Sequence, residues 1–216
     1  MPAGTQDARY VEQAAAELRA GDPVIGKLID AYGIDGLGDR RRGRPRDHYG
    51  VLVRAIIGQQ LSTKAADAIY GRLTERYGGR PPTPEEVLAD DPDELRTSAG
   101  LSHAKVGYLR SLAEHVLDGS LALDKLSRLP DDEVIAELVA VKGIGLWSAQ
   151  IFLMFHLQRP DVVAIGDLGI RRAVMLAYGL DAMPTPAEVQ ERAERWRPHR
   201  TLACLFLWRS LHAEPL

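Results

Sequence analysis

Residues 141–167 constrain the fold and function of this chain more than any other segment, because they combine a glycine turn, an apolar run and a carboxylate. Gly143 and Gly145 stand one residue apart, which allows a tight turn and a close approach of the backbone to a neighbouring group. The apolar run predicts a helix over 146–156, and the N–H groups at a helix start suit an anion such as a phosphate. Taken alone, a Gly-x-Gly turn is more typical of an ordinary connection between two helices than of a phosphate site. Asp167 ends the segment, and its carboxylate is a candidate for a chemical role.

Apolar residues recur at helical spacing along nearly the whole chain, and only the short run 162–165 is rich enough in β-branched residues to suggest an extended segment. We predict that run to be a loop. Helices are predicted at residues 7–20, 24–32, 49–57, 63–77, 84–89, 92–98, 105–118, 131–140, 146–156, 168–178, 186–197 and 201–212. Because these helices are short and closely linked, the pattern predicts an irregular all-α bundle rather than a coiled coil.

Several helix starts carry capping signals. Thr83 and Thr185 each precede a proline and an acidic first turn, which is typical of a helix N-terminus. Ser62, followed by Thr63, is a candidate cap for the helix predicted at 63–77. These signals predict where helices begin more sharply than the apolar pattern does.

The overall charge does not indicate a nucleic-acid partner, since the 216 residues carry a net charge of −3 and the pI is about 6.1. Positive charge is instead concentrated in two places, and either could be a solvated face. The first comprises Arg40, Arg41, Arg42, Arg44 and Arg46, and the second comprises Arg192, Arg195, Arg197, Arg200 and Arg209.

The single cysteine, Cys204, lies among leucines and is predicted to be part of the core. One cysteine excludes a disulfide framework and any four-cysteine metal site within this chain. The N-terminus does not resemble a signal peptide, and no apolar run reaches membrane-spanning length. We therefore expect a reduced, cytoplasmic protein with no membrane partner, associated with the nucleoid if the chain is bacterial.

Four ordered sequence blocks, at residues 55–62, 141–149, 166–172 and 196–209, resemble the helix-hairpin-helix DNA glycosylases. Within that superfamily they are similar to the alkylation-repair branch, the 3-methyladenine DNA glycosylase II type. The resemblance implies an all-α, two-lobed helical bundle with a helix-hairpin-helix DNA-binding motif and a Gly/Pro-Asp loop.

The same resemblance suggests a division of the chain. Residues 49–216 would form the glycosylase domain, with the hairpin at 131–156. Residues 1–48 would be a helical segment and an Arg-rich loop that pack on this core, without the additional β-containing domain found in a known relative.

The resemblance assigns catalysis to Asp167. Breaking an N-glycosidic bond leaves a sugar with oxocarbenium character, so a carboxylate beside C1′ would stabilise the developing positive charge. The dipole of the helix predicted at 168–178 would help to keep this carboxylate ionised. An alternative interpretation makes Asp167 only the N-cap of that helix, and one residue could serve both purposes.

The family fills the gap left by a flipped base with a side chain at the position of Gln60, and Leu61 could act there as an apolar wedge. The alternative is that Leu61 is core and Gln60 is surface. The resemblance also implies DNA contacts for further residues, although Lys142 could simply be solvated. These residues are Ser62, Lys142, Gly143, Gly145 and Arg171.

The resemblance implies a base pocket lined by Trp147, Trp208, Ile151 and Leu168. Indole rings suit electron-poor alkylated purines, because a positively charged ring gains a cation–π contribution. The best-known bacterial relative has aromatic residues at the positions of Ile151 and Leu168, so we expect a more open pocket here. The third tryptophan, Trp196, is predicted to be core.

Trp147 also bears on the reaction type. Bifunctional members of the superfamily place a Schiff-base lysine at this position, and only an amine can trap the sugar covalently. The reaction is therefore expected to stop at an abasic site. No cofactor is expected for catalysis, but the carbonyls of Val141 and Gly143 resemble those that hold a structural monovalent cation against a DNA phosphate.

Together these features predict a monofunctional glycosylase that flips alkylated purines, such as 3-methyladenine and 7-methylguanine, out of damaged double-stranded DNA. We expect it to act as a monomer in base excision repair. Two alternatives are a non-catalytic damage-binding module, which would have no need of Asp167, and an oxidised-purine glycosylase/lyase, which Trp147 disfavours.

Overall fold

A computed structural model describes residues 8–37 and 47–211. Within these ranges the chain is all-helical, as predicted, and contains no β-strand. The twelve α-helices of the described chain are α1 Ala8–Gly21, α2 Pro23–Tyr32, α3 His48–Gly58, α4 Thr63–Arg76, α5 Pro84–Ala89, α6 Pro92–Ala99, α7 His103–Leu117, α8 Asp131–Ala140, α9 Leu146–Ile151, α10 Leu168–Tyr178, α11 Pro186–Ala193 and α12 Arg200–Ser210. No helix in these ranges is long and apolar enough to cross a membrane.

Two helical segments differ from the predictions at their ends. The helix predicted over 146–156 is an α-helix only through Ile151 and continues as a π-helix over Phe152–His156. The helix predicted over 186–197 ends at Ala193 and is followed by the 3-10 turn Glu194–Trp196. Apolar spacing alone cannot distinguish these tighter or wider turns from an α-helix, because the same face remains buried.

The chain forms two compact units. The first combines the N-terminal helices with residues 153–216, and the second comprises residues 43–152. The unit limits therefore differ from the boundary at residue 48 suggested by the sequence, because α1 and α2 pack against α12 at the other end of the chain. The arginines between positions 40 and 46 lie outside the described residues.

The first unit is built around α12, which is buried over most of its length. Cys204 and Phe206 are fully buried there, and burial raises the pKa of the Cys204 thiol to about 12, so the thiol stays protonated. Trp196 is also fully buried, and its Nε1 donates to Oδ2 of the buried Asp22 at 3.1 Å. The core predictions for Cys204 and Trp196 are confirmed.

The second unit is organised by α3 and α7. Helix α3 buries apolar residues on several sides, including Leu52, Ile56 and Ile57. Helix α7 packs against α3, α5 and α6. Thr83 caps α5, as predicted, and forms a capping box with Glu86; Thr185 does the same with Glu188 in the first unit. Helix α8 and α9 pack together and enclose the glycine turn.

Candidate functional site

Asp167 stands at the junction between an extended loop and α10. Its Oδ1 accepts hydrogen bonds from the backbone N–H of Ile170 at 2.8 Å and from Nε1 of Trp208 at 2.9 Å. The N-cap interpretation of Asp167 is therefore confirmed, but capping alone does not account for the second donor. Two donors on one oxygen hold the carboxylate in a single orientation.

The loop that carries Asp167 is anchored to α12. Thr201 is buried, and its Oγ1 donates to the carbonyl of Arg159 at 2.8 Å and accepts from the N–H of Val162 at 3.1 Å. The backbone N–H of Asp167 donates to the carbonyl of Ala164 at 3.0 Å. The run 162–165 is a loop, as predicted, and these bonds give it a defined path to the carboxylate.

Gly169 makes the contact between Asp167 and Trp208 geometrically feasible. A Cβ atom at this position would lie 2.9 Å from Oδ1 of Asp167 and 3.2 Å from Nε1 of Trp208. Both distances are shorter than ordinary van der Waals contact, so a side chain would push the hydrogen-bonded pair apart. The ring of Phe155 lies against Trp208, with 5.8 Å between centroids. Sequence reasoning gave Gly169 and Phe155 no role.

Two further predicted site residues lie on α10. Leu168 is 66% exposed, directly after Asp167. Arg171 donates from Nε to the carbonyl of Pro184 at 2.8 Å and is half-buried. Part of the Arg171 guanidinium therefore stabilises the fold, and only its remaining N–H groups could serve the predicted DNA contact.

In the second unit, Gly143 and Gly145 have different reasons to be glycine. Gly143 has φ of 90°, and a Cβ atom there would lie 2.2 Å from Cγ of Tyr108. Gly145 has an ordinary φ of −96°, and a Cβ atom would meet no described heavy atom within 4 Å. The fold thus requires glycine at Gly143, whereas the open space at Gly145 is available to an external group.

The surface around this turn is exposed and partly apolar. Lys142 is exposed, Leu146 is 44% exposed and Trp147 is 45% exposed. Ile151, at the end of α9, is half-buried. An exposed tryptophan beside a glycine turn is more typical of a binding surface than of a core.

Gln60 and Leu61, which are predicted to fill the gap left by a flipped base, lie between α3 and α4 in residues 59–62, here called the plug loop. Gln60 is exposed and has φ of 59°, a left-handed conformation that is uncommon outside glycine. Leu61 is 38% exposed, so the alternative that it belongs to the core is wrong. Ser62 caps α4, as predicted, with Oγ accepting from the N–H of Ala65 at 3.3 Å. The loop thus projects two side chains outward between two fixed helix ends.

Two residues that the sequence did not single out hold this loop. Lys105 donates from Nζ to the carbonyls of Ile57 at 2.7 Å and of Gln59 at 2.9 Å. Gln59 in turn donates from Nε2 to the carbonyl of Gly143 at 2.7 Å. These are tertiary contacts between distant segments, for which no local sequence signal exists.

Comparison with known proteins decides the family. The family described as HhH-GPD superfamily base excision DNA repair protein matches residues 53–198. The chain belongs to this superfamily. The match spans the plug loop, the glycine turn and Asp167, and it ends before Thr201 and Trp208 on α12.

Individual relatives place this HhH-GPD protein in the alkylation-repair branch. It is 36% identical to DNA-3-methyladenine glycosylase 1 of Schizosaccharomyces pombe, over 76% of this chain and 73% of that protein. It is 32% identical to DNA-3-methyladenine glycosylase 2 of Escherichia coli, over 72% of this chain and 55% of that protein. The solved structure of the S. pombe 3-methyladenine DNA glycosylase in complex with abasic DNA aligns with a TM-score of 0.80 at 32% identity, covering 94% of this chain and 98% of that one.

Most of the C-terminal arginines of this HhH-GPD protein serve the fold. Arg209 donates to the carbonyls of Tyr32, Gly33 and Asp35, and so closes the end of α2. Arg197 and Arg200 both contact Asp161, in the loop that leads to Asp167. The guanidinium of Arg192 lies 4.6 Å from the centroid of the Tyr178 ring. This set is therefore largely structural rather than a solvated face.

Proposed function

We propose that this HhH-GPD protein is a monofunctional DNA glycosylase that releases alkylated purines from double-stranded DNA. The observation that carries the proposal is the carboxylate of Asp167, whose Oδ1 is held by both Ile170 N–H and Trp208 Nε1. A damage-binding module would gain nothing from a carboxylate oriented in this way near DNA phosphates, since like charges repel. The names of its relatives support the same substrate class.

Asp167 would act electrostatically. The bond between C1′ and the base nitrogen breaks, the electron pair leaves with the base, and positive charge develops on the sugar. At ~4 Å and an effective dielectric constant of ~20, a carboxylate stabilises such a charge by about 4 kcal/mol. A water molecule then adds to C1′ and loses a proton, which leaves a hydroxyl on the abasic sugar.

Trp147 supports a reaction that ends at the abasic site. A strand-cleaving member of the superfamily would need an amine at this position to form an imine with C1′. The indole of Trp147 is 45% exposed on α9 and has no nucleophilic nitrogen. A cationic, electron-poor alkylated purine would instead gain stacking and a cation–π contribution from this ring.

DNA contact would come from the second unit through two exposed segments. The open backbone at Gly145 allows a phosphate to approach, and Lys142 adds positive charge beside it. Gln60 and Leu61 project from the plug loop, where they could fill the space of a flipped base. Residues of both kinds are expected in a protein that acts on duplex DNA.

The glycine turn also fits a structural monovalent cation, as the superfamily implies. The carbonyl of Gly143 accepts from Gln59 Nε2, and that of Val141 accepts from the N–H of Ile144 at 3.0 Å. Each oxygen keeps a second lone pair, so each could supply one contact to the ion. The ion would screen a DNA phosphate and play no part in bond cleavage. Duplex affinity should then be higher in potassium than in tetramethylammonium at equal ionic strength.

Release of radiolabelled bases from methylated DNA, resolved by chromatography, tests the proposed function. We expect free 3-methyladenine or 7-methylguanine, with an equal number of alkali-labile abasic sites. Tight binding to damaged duplex without any released base would instead support a binding module. Release of purines from a matched oxidised duplex, with none from methylated DNA, would instead support an oxidised-purine glycosylase.

A further inference from the structure

Lys105 bonds to the backbone at the end of α3. It lies on α7 and is half-buried, and its ammonium donates to the carbonyls of Ile57 and Gln59 at the end of α3. Burial lowers the pKa of the Lys105 ammonium. An ammonium at this place satisfies carbonyls that the helix end would otherwise leave open, and it opposes the negative end of the helix dipole.

The same helix supports the glycine turn. Tyr108 lies three residues after Lys105 and therefore on the same face of α7. Its ring fills the space that a side chain at Gly143 would need. Gln59 closes the set, since its backbone carbonyl binds Lys105 and its side chain binds the carbonyl of Gly143. Helix α7 thus contacts the plug loop through Lys105 and the glycine turn through Tyr108, and these two residues lie one helical turn apart.

The backbone of the plug loop is in an unfavourable conformation at Gln60, so the loop needs contacts that hold it in place. Gln60 has φ of 59°, and a non-glycine residue in this region persists only where the flanking structure enforces it. On one side Gln59 is held by Lys105 and by the glycine turn, and on the other side Ser62 is held as the cap of α4. Loss of the first anchor would free the chain at Gln60 to take other conformations.

We propose that Lys105 and Gln59 form a brace that keeps the plug loop at a set place relative to the glycine turn. Lys105 is then a positioning residue for base flipping, acting through Gln60. This inference rests on the proposed function, because it gives the plug loop its role in DNA. It extends that function by linking the segment that grips phosphates to the segment that fills the gap.

Binding alone tests the brace, without any need for base release. Two fluorescently labelled DNAs are compared: an intact duplex, and the same duplex with one stable tetrahydrofuran abasic analogue. The unmodified protein should prefer the abasic duplex, because only that duplex offers a gap for Gln60. Lys105→Met should reduce this preference about tenfold, equivalent to about 1.4 kcal/mol. Its affinity for the intact duplex should stay within about twofold.

Matched variants separate positioning from charge and from folding. Lys125→Met removes an exposed lysine of the same unit and should leave the preference unchanged. Lys105→Arg, which can still donate to two carbonyls, should recover part of the preference. Gln59→Met removes only the donor to Gly143, so it provides a second test if Lys105→Met folds poorly. In a Gln60→Ala background, Lys105→Met should cause no further loss, because the two changes act on one step.

The brace is refuted if Lys105→Met and Gln59→Met keep the preference, if they weaken both duplexes equally, or if their effects add to that of Gln60→Ala. It is also refuted if the unmodified protein shows no preference for the abasic duplex. If the proposed function is wrong but the brace is right, the protein should still prefer the abasic duplex, while methylated DNA should release no base.

Discussion

Nε1 of Trp208 donates a 2.9 Å hydrogen bond to Oδ1 of Asp167, a residue 41 positions earlier in the chain. The bond gives Trp208 a second role beside the stacking surface expected from sequence. It orients the carboxylate on which the proposed chemistry depends, and Gly169 leaves the space for it. Under the proposed function, Trp208 would act on catalysis through Asp167 as well as through the base.

Replacing Trp208 by phenylalanine separates these two roles. Trp208→Phe keeps an aromatic ring but removes the donor, and loss of a hydrogen bond to a charged group costs about 1.5–3 kcal/mol. We expect base excision to slow by at least about tenfold in single-turnover assays, with duplex affinity nearly unchanged. An excision rate equal to that of the unmodified protein would show that the hydrogen bond does not orient Asp167.

Substitution of Gly143 should affect stability, whereas substitution of Gly145 should affect DNA binding. Gly143→Ala introduces a Cβ atom into the ring of Tyr108 at positive φ, so we expect a loss of stability of at least about 2 kcal/mol in urea unfolding. Gly145→Asp meets open space and should unfold at nearly the same urea concentration, yet it should weaken binding to all duplexes and reduce the salt dependence of binding. Unchanged affinity of Gly145→Asp in a salt titration would remove this turn from the DNA interface.

An ion pair in the second unit should make stability depend on pH. Asp90 accepts from Nε of Arg76 at 2.7 Å and from Nη2 at 2.6 Å, and the Arg76 guanidinium lowers the pKa of the Asp90 carboxyl below its ordinary value of 3.8. This contribution is complete above pH 3.8 and is lost as the pH falls through the lowered pKa of the folded state. Asp90→Asn should therefore reduce the free energy of unfolding by about 1–3 kcal/mol at pH 7, with a smaller difference near pH 3.

Asp93→Asn provides the control for that measurement. Asp93 is 80% exposed and its contact with Arg96 is 3.5 Å long, so the change should cost at most about 0.5 kcal/mol at pH 7. An equal loss in both variants, or a loss in Asp90→Asn that does not shrink in acid, would contradict the assignment to the Arg76–Asp90 pair.

A covalent-trapping assay tests whether the reaction stops at the abasic site. Trp147 cannot form an imine with the sugar, and Lys142 is exposed on the glycine turn that is assigned to phosphate contact. Borohydride should therefore trap no protein–DNA adduct during reaction with methylated duplex, and strand breaks should appear only after alkali. A trapped adduct that disappears in Lys142→Met would identify that lysine as a nucleophile and overturn the monofunctional assignment.

Local signals predicted much of the fold, because helix limits depend on nearby residues. Helices α8 and α10 begin and end where predicted, and Thr83 and Thr185 cap their helices as expected. The π-helix at Phe152–His156 was not predicted, since its apolar pattern is the same as that of an α-helix. The unit limits were not predicted because they depend on contacts between the two ends of the chain.

The residues of the candidate site also divide into those marked by local motifs and those that act through tertiary contacts. Asp167 and Gln60 were predicted because motifs mark them, and the exposure of Gln60 and Leu61 fits the wedge interpretation. Lys105 and Gly169 were missed, since each acts across space on a residue that is distant in sequence or crowded only in the folded chain. Arg171 was assigned to DNA from the motif alone, and its bond to Pro184 emerged only from the fold.

The excision rate of Asp167→Asn under single-turnover conditions tests the central claim most directly. Asparagine can still accept from Ile170 and Trp208, so the fold and duplex binding should persist. Loss of ~3 kcal/mol of transition-state stabilisation predicts that base release from methylated duplex slows by about a hundredfold. Asp181→Asn, which removes one exposed carboxylate after α10, should react at the normal rate. Near-normal excision by Asp167→Asn would contradict the account, because Asp167 would then be only a helix cap.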